Sequence, residues 1–467
     1  MELFLNAIKK CVQEFKKFDN VLIKLVSHLD ADGLSASSII IKALSNAGYK
    51  FSLTTVRQID EFLFEELKRE HFSVLVFLDL GSGSLRQIEE SFGEKKVIIL
   101  DHHKPQEYDP KKITFLNPHI YGIDGSKDIS GAGVAYLFAK AIDPENIDMA
   151  HLAIIGAIGD MQENNGFQSE LNNLILEDAI NAGKLEIAIG LRTFGMQTRP
   201  INKVLEYTTD PYIPGVTGSE SGAKKFLEEL GLAAVERGKY KKLVQLTHEE
   251  LKKLVTGIIL RRIGSEDNPE DVLGKIYLLK DEEDENPLKD AKEFSTLLNA
   301  CGRLDKPGVG IGCCIGDKKS KEEAVEILFD YKREIINSLN WFYANKGKHL
   351  EGNGYVIVNA EDHVKDTIIG TLGSLISKSN LYREGTIILT MAYTIDGNIK
   401  LSVRSTATAR TKIDLLKAVN FIVSKVGGIG GGHNYAAGAL VSQEKEKELV
   451  ETAQKFFEGG ILEEAMI

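Results

Sequence analysis

Two kinds of hydrophobic pattern alternate along the first third of the chain. Continuous apolar runs of strand length occur at VLIKLVS (21–27), FSLTTV (51–56), SVLVFLDL (73–80), KVIILD (96–101) and ITFLNP (113–118), and they read as β-strands. Between and after them the spacing changes to three and four residues. The stretch from Gly33 to about Ala47, EFLFEELKRE, SLRQIEESF, GAGVAYLFAKAI and MAHLAIIGAIGDM all predict helices. Strands alternating with helices predict an α/β domain with an open, mostly parallel sheet and helices on both faces. Ahead of it, Leu3, Phe4, Ala7, Ile8, Cys11, Val12 and Phe15 fall at helical spacing among Lys and Glu. That is an amphipathic surface helix rather than a signal peptide.

Residues 165–345 follow a more irregular, mainly helical pattern. The charged run at 280–287 reads as a solvated loop, and KIYLLK and GVGIGCCIG read as strands flanking FSTLLNACGRLDKPG. A second, smaller α/β unit follows from 350. YVIVNA is a strand and KDTIIGTLGSLISKS a helix, and TIILTMAYT and NIKLSVRS pair across an Asp396-Gly397 turn. A helix to Val426, the loop GGIGGGHNYAAGA and a last helix complete it. No repeat at a fixed period is present. A chain of 467 residues is too long for one core, and the expected division is 1–200, 201–345 and 346–467.

Composition narrows the class. Hydrophobic residues make up 43% and charged residues 27%, as in globular rather than disordered proteins. The net charge of −11 means that the surface as a whole repels nucleic acid, so any such binding needs a local basic track or bound cations. The four cysteines, Cys11, Cys301, Cys313 and Cys314, include no C-x-x-C pair. That argues against a zinc ribbon or disulfide framework and fits a cytoplasmic protein. No uncharged apolar run reaches the roughly 20 residues of a membrane span, so no membrane association is expected.

The chemistry stands where strands end. His28, Asp30 and Asp32 follow the first strand, Asp79 follows VLVFL, Asp101, His102 and His103 follow VIIL, and Asp160 ends the helix IIGAIGD. In open α/β sheets, sites lie beyond the carboxyl ends of strands. Each piece has a plainer reading: H-x-D-x-D-G fits a turn with a helix N-cap, and Asp79 fits the cap of the helix beginning near Ser84. Together they are harder to explain by packing. Five carboxylates in one crevice would repel one another unless some stayed protonated, and dications remove that conflict. Carboxylates and imidazoles without thiolates favour Mn²⁺ or Mg²⁺, and two such ions could clamp the attacking and leaving oxygens of a phosphoryl group.

The segments SHLDADG, FLDLG, LDHH and IGAIGD, in this order and spacing, resemble the motifs of the DHH phosphoesterase superfamily. GGIGGGHNYAAGA resembles the GGGH loop of the associated DHHA1 domain. GLRTFGMQTRP, DPYIPGVTG and EFSTLLNACGRL are similar to segments of archaeal RecJ-like exonucleases, also described as GINS-associated nucleases. The resemblance implies two Mn²⁺ (or Mg²⁺) ions. One takes His28, Asp30 and a bridging Asp79, and the other takes Asp32, Asp79, His102 and Asp160. It implies catalytic roles for His103, facing the scissile phosphate, and for Asp101, orienting an imidazole. His433 with Gly431 and Gly432, and Arg404, would grip the substrate nucleotide. Ser130 at a helix N-terminus and His119 are further substrate candidates, and Arg303 a weaker one. The implied partners are single-stranded DNA or RNA and the GINS/replicative helicase complex. Two other readings stay open: a phosphodiesterase of nanoRNA, phosphoadenosine phosphate or cyclic dinucleotides, and a Cdc45-like subunit that chiefly binds GINS.

Overall fold

The computed structural model describes residues 1–208, 210–233, 235–236, 238–266, 268–379, 381–406, 414–433 and 436–464, without the side chains of 433 and 460–464. The N-terminal sheet has strands β1 (Leu22–His28), β2 (Lys50–Val56), β3 (Val74–Leu78), β4 (Lys96–Leu100) and β5 (Thr114–Leu116). The helices around it are α1 (Glu2–Phe15), α2 (Ala31–Asn46), α3 (Glu61–Arg69), α4 (Leu85–Phe92), α5 (Gly131–Ile142), α6 (Ala150–Gly159) and α7 (Glu170–Asn181). The strands run in the order β2-β1-β3-β4-β5, and every neighbouring pair is parallel. β3 and β4 are apolar almost throughout because both faces are covered. Leu75, Phe77, Val97 and Ile99 share one core with Leu63 and Leu67 of α3 and Ile88 of α4. α2 and α5 pack against the sheet as well, and α6 packs against both of these helices. β1 connects to β2 on one side and β3 lies on its other side, so a crevice opens beyond the carboxyl ends of β1 and β3.

Beyond α7 the strands Leu185–Leu191 and Leu273–Leu279 pair antiparallel along their length. The helices Ile201–Tyr207, Glu220–Glu229 and His248–Arg262 lie between them in sequence and bury their own core, including Val204, Phe226, Leu254 and Ile258. Leu185–Leu191 is a strand that the sequence pattern does not mark, because its partner lies far downstream. GVGIGCCIG is not a strand: Pro307–Cys314 is a helix with Pro at its start. A short apolar run carries no period that separates the two states, and here Gly310 lets the turn press against Leu34.

The C-terminal sheet has six strands, with Tyr355–Asn359 parallel to Ile387–Tyr393 and the other pairs antiparallel. Helices Leu415–Val426 and Glu446–Glu464 cover one core of Leu389, Leu401, Val419, Ile422 and Phe457. The glycine segment expected as a loop is instead two paired strands, Ile429–His433 and Ala436–Ser442. Glycines tolerate that pairing because close main-chain approaches replace side-chain packing: a Cβ on Gly428 would stand 2.3 Å from Leu440 O. The chain divides into two compact units, Met1–Leu328 and Phe329–Ile467. No helix among the described residues is long and apolar enough to cross a membrane.

Candidate metal centre

β1 ends on His28, and two residues later Asp30 caps α2 by accepting from Gly33 N at 3.0 Å through Oδ1. Its other oxygen therefore turns to His28 Nδ1, 3.0 Å away. Gly33 has no alternative, since a Cβ there would lie 2.3 Å from His28 O. Asp79 follows β3 with φ of 58°, a left-handed backbone that costs about 1 kcal/mol in a non-glycine residue. That turn aims its carboxylate between β1 and β4: Oδ2 lies 3.6 Å from His28 Nδ1 and Oδ1 3.3 Å from His102 Nε2.

His102 is held by its far nitrogen. Nδ1 is 2.7 Å from Gly125 O, which can only accept, so Nδ1 carries the proton and Nε2 presents its lone pair. Around Nε2 stand Asp160 Oδ2 at 3.0 Å, Asp79 Oδ1 at 3.3 Å and Asp32 Oδ2 at 3.7 Å. Asp160 sits at the C-terminal cap of α6, the end of a helix that disfavours negative charge. Asp32 receives N–H groups of Gly131 (2.6 Å) and Ala132 (3.0 Å) at the start of α5. Those donors favour its charged form, but burial and then the carboxylates of Asp79 and Asp160 outweigh them and push its pKa well above the usual range. Burial likewise raises Asp160. Burial works against the charged form of His102, yet Asp160 and Asp79 prevail and raise it well above its ordinary value. A positive charge at Nε2 is what this geometry demands, as a second proton or as a cation.

Asp101 is different in kind. Its Oδ2 accepts from Ser82 N (2.8 Å), and its Oδ1 accepts from His102 N (2.8 Å), His103 N (3.2 Å) and the His103 Nδ1 (2.8 Å). Burial opposes its charge, but the two imidazoles and Ser82 hold it far below the ordinary carboxylate range. Burial lowers His103 and Asp101 raises it more, so the imidazolium is favoured. The His103 side chain is 42% exposed, against 5% for His102 and 1% for Asp79.

Three ligand-like sets come within reach of one another: His28, Asp30 and Asp79; Asp32, His102 and Asp160; and Asp79 with Asp101, His102 and His103. Both oxygens of Asp79, His28 Nδ1 and His102 Nε2 are buried with no hydrogen-bond partner. Carboxylate oxygens and ring nitrogens that converge with no hydrogen-bond partner are costly unless a proton or a cation lies among them. A nitrogen–oxygen set with no thiolate suits a hard dication such as Mn²⁺ or Mg²⁺, so the residues fit the metals expected.

Several supports escape the sequence motifs. Asn117 is fully buried and donates to both Ser82 Oγ and His103 O at 2.9 Å. Gln162 donates to Gly125 O at 2.9 Å and accepts from Asn172 at 3.0 Å. A Cβ on Gly131 would stand 2.6 Å from Asp79 Oδ1, and one on Gly156 2.3 Å from Asp32 Oδ1. Glycines clustered at the start of one helix in SGAG and three apart in IGAIG were the available signal. The first N–H groups of α5 serve Asp32, and Ser130 is fully buried and caps the helix, its hydroxyl accepting from Gly133 N at 3.3 Å. His119 lies beside the Gly125 main chain and is lowered by burial. In the C-terminal unit, Arg404 donates to Ser374 Oγ (2.9 Å), Val403 O (2.9 Å) and Ala437 O (3.5 Å), and Ala437 pairs with Gly432. Gly431 and Gly432 are exposed, and the His433 side chain lies outside the described residues.

A parallel sheet with carboxylates and imidazoles converging beyond its strand ends defines the class, an α/β fold carrying a cluster that could hold metal ions. Residues 21–157 match the DHH family N-terminal domain, 193–274 the DHH-CID domain and 352–459 the DHHA1 domain. An uncharacterized protein of Methanocaldococcus jannaschii is 33% identical over 436 residues, 92% of this chain and 91% of that one. The chain belongs to the DHH family, with an associated DHHA1 domain. RecJ of Thermus thermophilus in complex with Mn²⁺ superposes with a TM-score of 0.59 at 16% identity, over 97% of this chain and 54% of that one. This chain thus spans about half the length of that RecJ. CDC45 of Entamoeba histolytica superposes with a TM-score of 0.63 at 12% identity, over 98% of both chains.

Proposed function

We propose that the protein is a metal-dependent exonuclease that hydrolyses phosphodiester bonds of single-stranded DNA or RNA in replication or repair, in the cytoplasm. The observation that carries this is the set of four buried atoms without a hydrogen-bond partner on His28, Asp79 and His102. One Mn²⁺ or Mg²⁺ would take His28, Asp30 and Asp79, and a second would take Asp32, Asp79, His102 and Asp160. Bound together, two such ions supply Lewis-acid neutralisation of the phosphoryl group and acidify water beside it.

The chain's own residues do the rest. Asp101 fixes the ring of His103 through Nδ1, and the favoured imidazolium donates to a non-bridging phosphate oxygen. Gly125 O keeps His102 in the tautomer with Nε2 toward the carboxylates. Gly431 is exposed, and a Cβ there would meet nothing in the chain, so packing does not require glycine. A phosphate approaching the main chain would. Arg404 and His433 complete the proposed nucleotide grip.

End-labelled single-stranded DNA and RNA oligomers, labelled at either end and incubated with Mn²⁺ or with EDTA, test this reading. Stepwise shortening that EDTA abolishes is expected. Faster hydrolysis of phosphoadenosine phosphate or a cyclic dinucleotide than of any oligomer would sink it. The full-length superposition on CDC45 favours one second reading, a replication-complex subunit binding GINS through the inserted region. In that case an Asp79→Asn variant would complement a deletion fully.

A further inference from the structure

The helix Ala291–Arg303 lies outside the α/β sheet in sequence, yet it meets the metal centre. Asn299 Oδ1 accepts from the main-chain N–H of Ala31 at 3.1 Å. Ala31 stands between Asp30 and Asp32, and its N–H belongs to the first turn of α2, where no intrahelical acceptor exists. Asp30 serves Gly33 and cannot serve Ala31 through the same geometry. Three residues beyond Asn299, Gly302 lies under Leu29: a Cβ there would come within 1.9 Å of Leu29 O. Four residues before it, Ser295 meets Gly159, next to Asp160, where a Cβ would lie 3.0 Å from Ser295 Oγ. Ser295, Asn299 and Gly302 form one stripe at helical spacing. The stripe covers the loop that carries His28, Asp30 and Asp32, and the end of α6 that carries Asp160. Near the start of the helix, Glu293 accepts from Gln197 N at 2.9 Å and from the Thr198 hydroxyl, which ties it to the segment ahead of the inserted helices.

We propose that Asn299 is a positioning residue of the metal centre. It holds the Asp30–Ala31 peptide so that His28, Asp30 and Asp32 present their donor atoms together. Asn299 touches no ion itself, and the proposal rests on reading the centre as a metal site. A helix from outside the sheet thereby sets metal occupancy, and Glu293 anchors that helix to the segment at Gln197 and Thr198.

The test is calorimetric titration of the full chain with Mn²⁺, for wild type, Asn299→Ala and Asn299→Asp, with the melting temperature of each metal-free protein measured alongside. Asn299→Ala should bind Mn²⁺ about tenfold more weakly, in the range found for residues that support metal ligands. Excess Mn²⁺ should restore its metal-induced thermal shift. Asn299→Asp keeps an acceptor and should stay within about threefold of wild type. Should Asn299→Ala not fold, Asn299→Leu fills the same space without an acceptor and takes its place. Affinity of the acceptor-less variant within about twofold of wild type, or Asn299→Asp as weak as that variant, would overturn the proposal. Wild type that binds no Mn²⁺ would overturn the metal reading itself, an outcome separate from wild type and variant binding equally well.

Discussion

Gly131 offers a decisive experiment because two forces act on it in opposite directions. It is the first residue of α5, where alanine favours helix over glycine by up to about 1 kcal/mol. If Gly131 were merely a helical position, Gly131→Ala would stabilise the protein. The added methyl, however, would stand 2.6 Å from Asp79 Oδ1, 2.7 Å from its Cβ and 2.9 Å from its Cγ. Ordinary contact begins near 3.4 Å, so the carboxylate or the helix must yield by about 0.8 Å. Overpacking of this kind costs about 1–3 kcal/mol. Displacing by nearly 1 Å the carboxylate that the proposed site would share between two ions should lower turnover about 100-fold. Urea unfolding of the metal-free protein, Mn²⁺ titration and oligomer hydrolysis read the three effects. A variant that is more stable, binds Mn²⁺ as wild type does and keeps its rate would refute the placement of Asp79 at the heart of the centre.

Asp160→Asn should abolish the thermal stabilisation by Mn²⁺, which for wild type at a hundred times the Kd amounts to about 2.7 kcal/mol; an unchanged shift in differential scanning calorimetry would remove Asp160 from the ligands. His103→Ala should leave Mn²⁺ affinity nearly intact while kcat falls about 100-fold or more, and a parallel loss of both would make His103 a ligand instead. Asp290 caps the helix Ala291–Arg303, and burial followed by Glu293 raises its pKa to about 6. The native state therefore binds more protons than the unfolded one between about pH 4 and 6, so this group's contribution falls as pH rises through that window, by up to about 3 kcal/mol. Asp290→Asn keeps the cap and should flatten that slope in urea titrations from pH 4.5 to 7; an identical slope would show that Asp290 is already solvated.

The polar residues of the centre were legible because each stands at the end of an apolar run or in the turn just beyond it. VLVFL, short, β-branched and aromatic and lying between helical segments, reads as a buried strand, and the Asp after it then emerges at the carboxyl edge. His28, Asp79 and Asp101 follow from that reasoning alone, and the parallel sheet makes those edges coincide. That Gly131 and Ala132 at the start of α5 donate to Asp32 was not legible, since the residues that meet lie about a hundred positions apart. The strand Leu185–Leu191 escaped because its partner Leu273–Leu279 lies far along the chain. GVGIGCCIG was misread because nine apolar or glycine residues carry no period.

Residue order by itself thus determined the α/β plan, the strand ends that carry ionisable groups and the donor chemistry that calls for a hard dication. Local sequence dictates backbone preference and the direction in which a side chain leaves a strand. Only the tertiary structure decided the hub position of Asp79, the tautomer of His102 fixed by Gly125 and the hold of Asn299 on Ala31. Each of these is a distance between residues far apart in the chain, set by how helices and strands pack. The buried atoms left without hydrogen-bond partners at the centre are likewise a product of that packing, and they are the strongest sign of what the fold was built to hold.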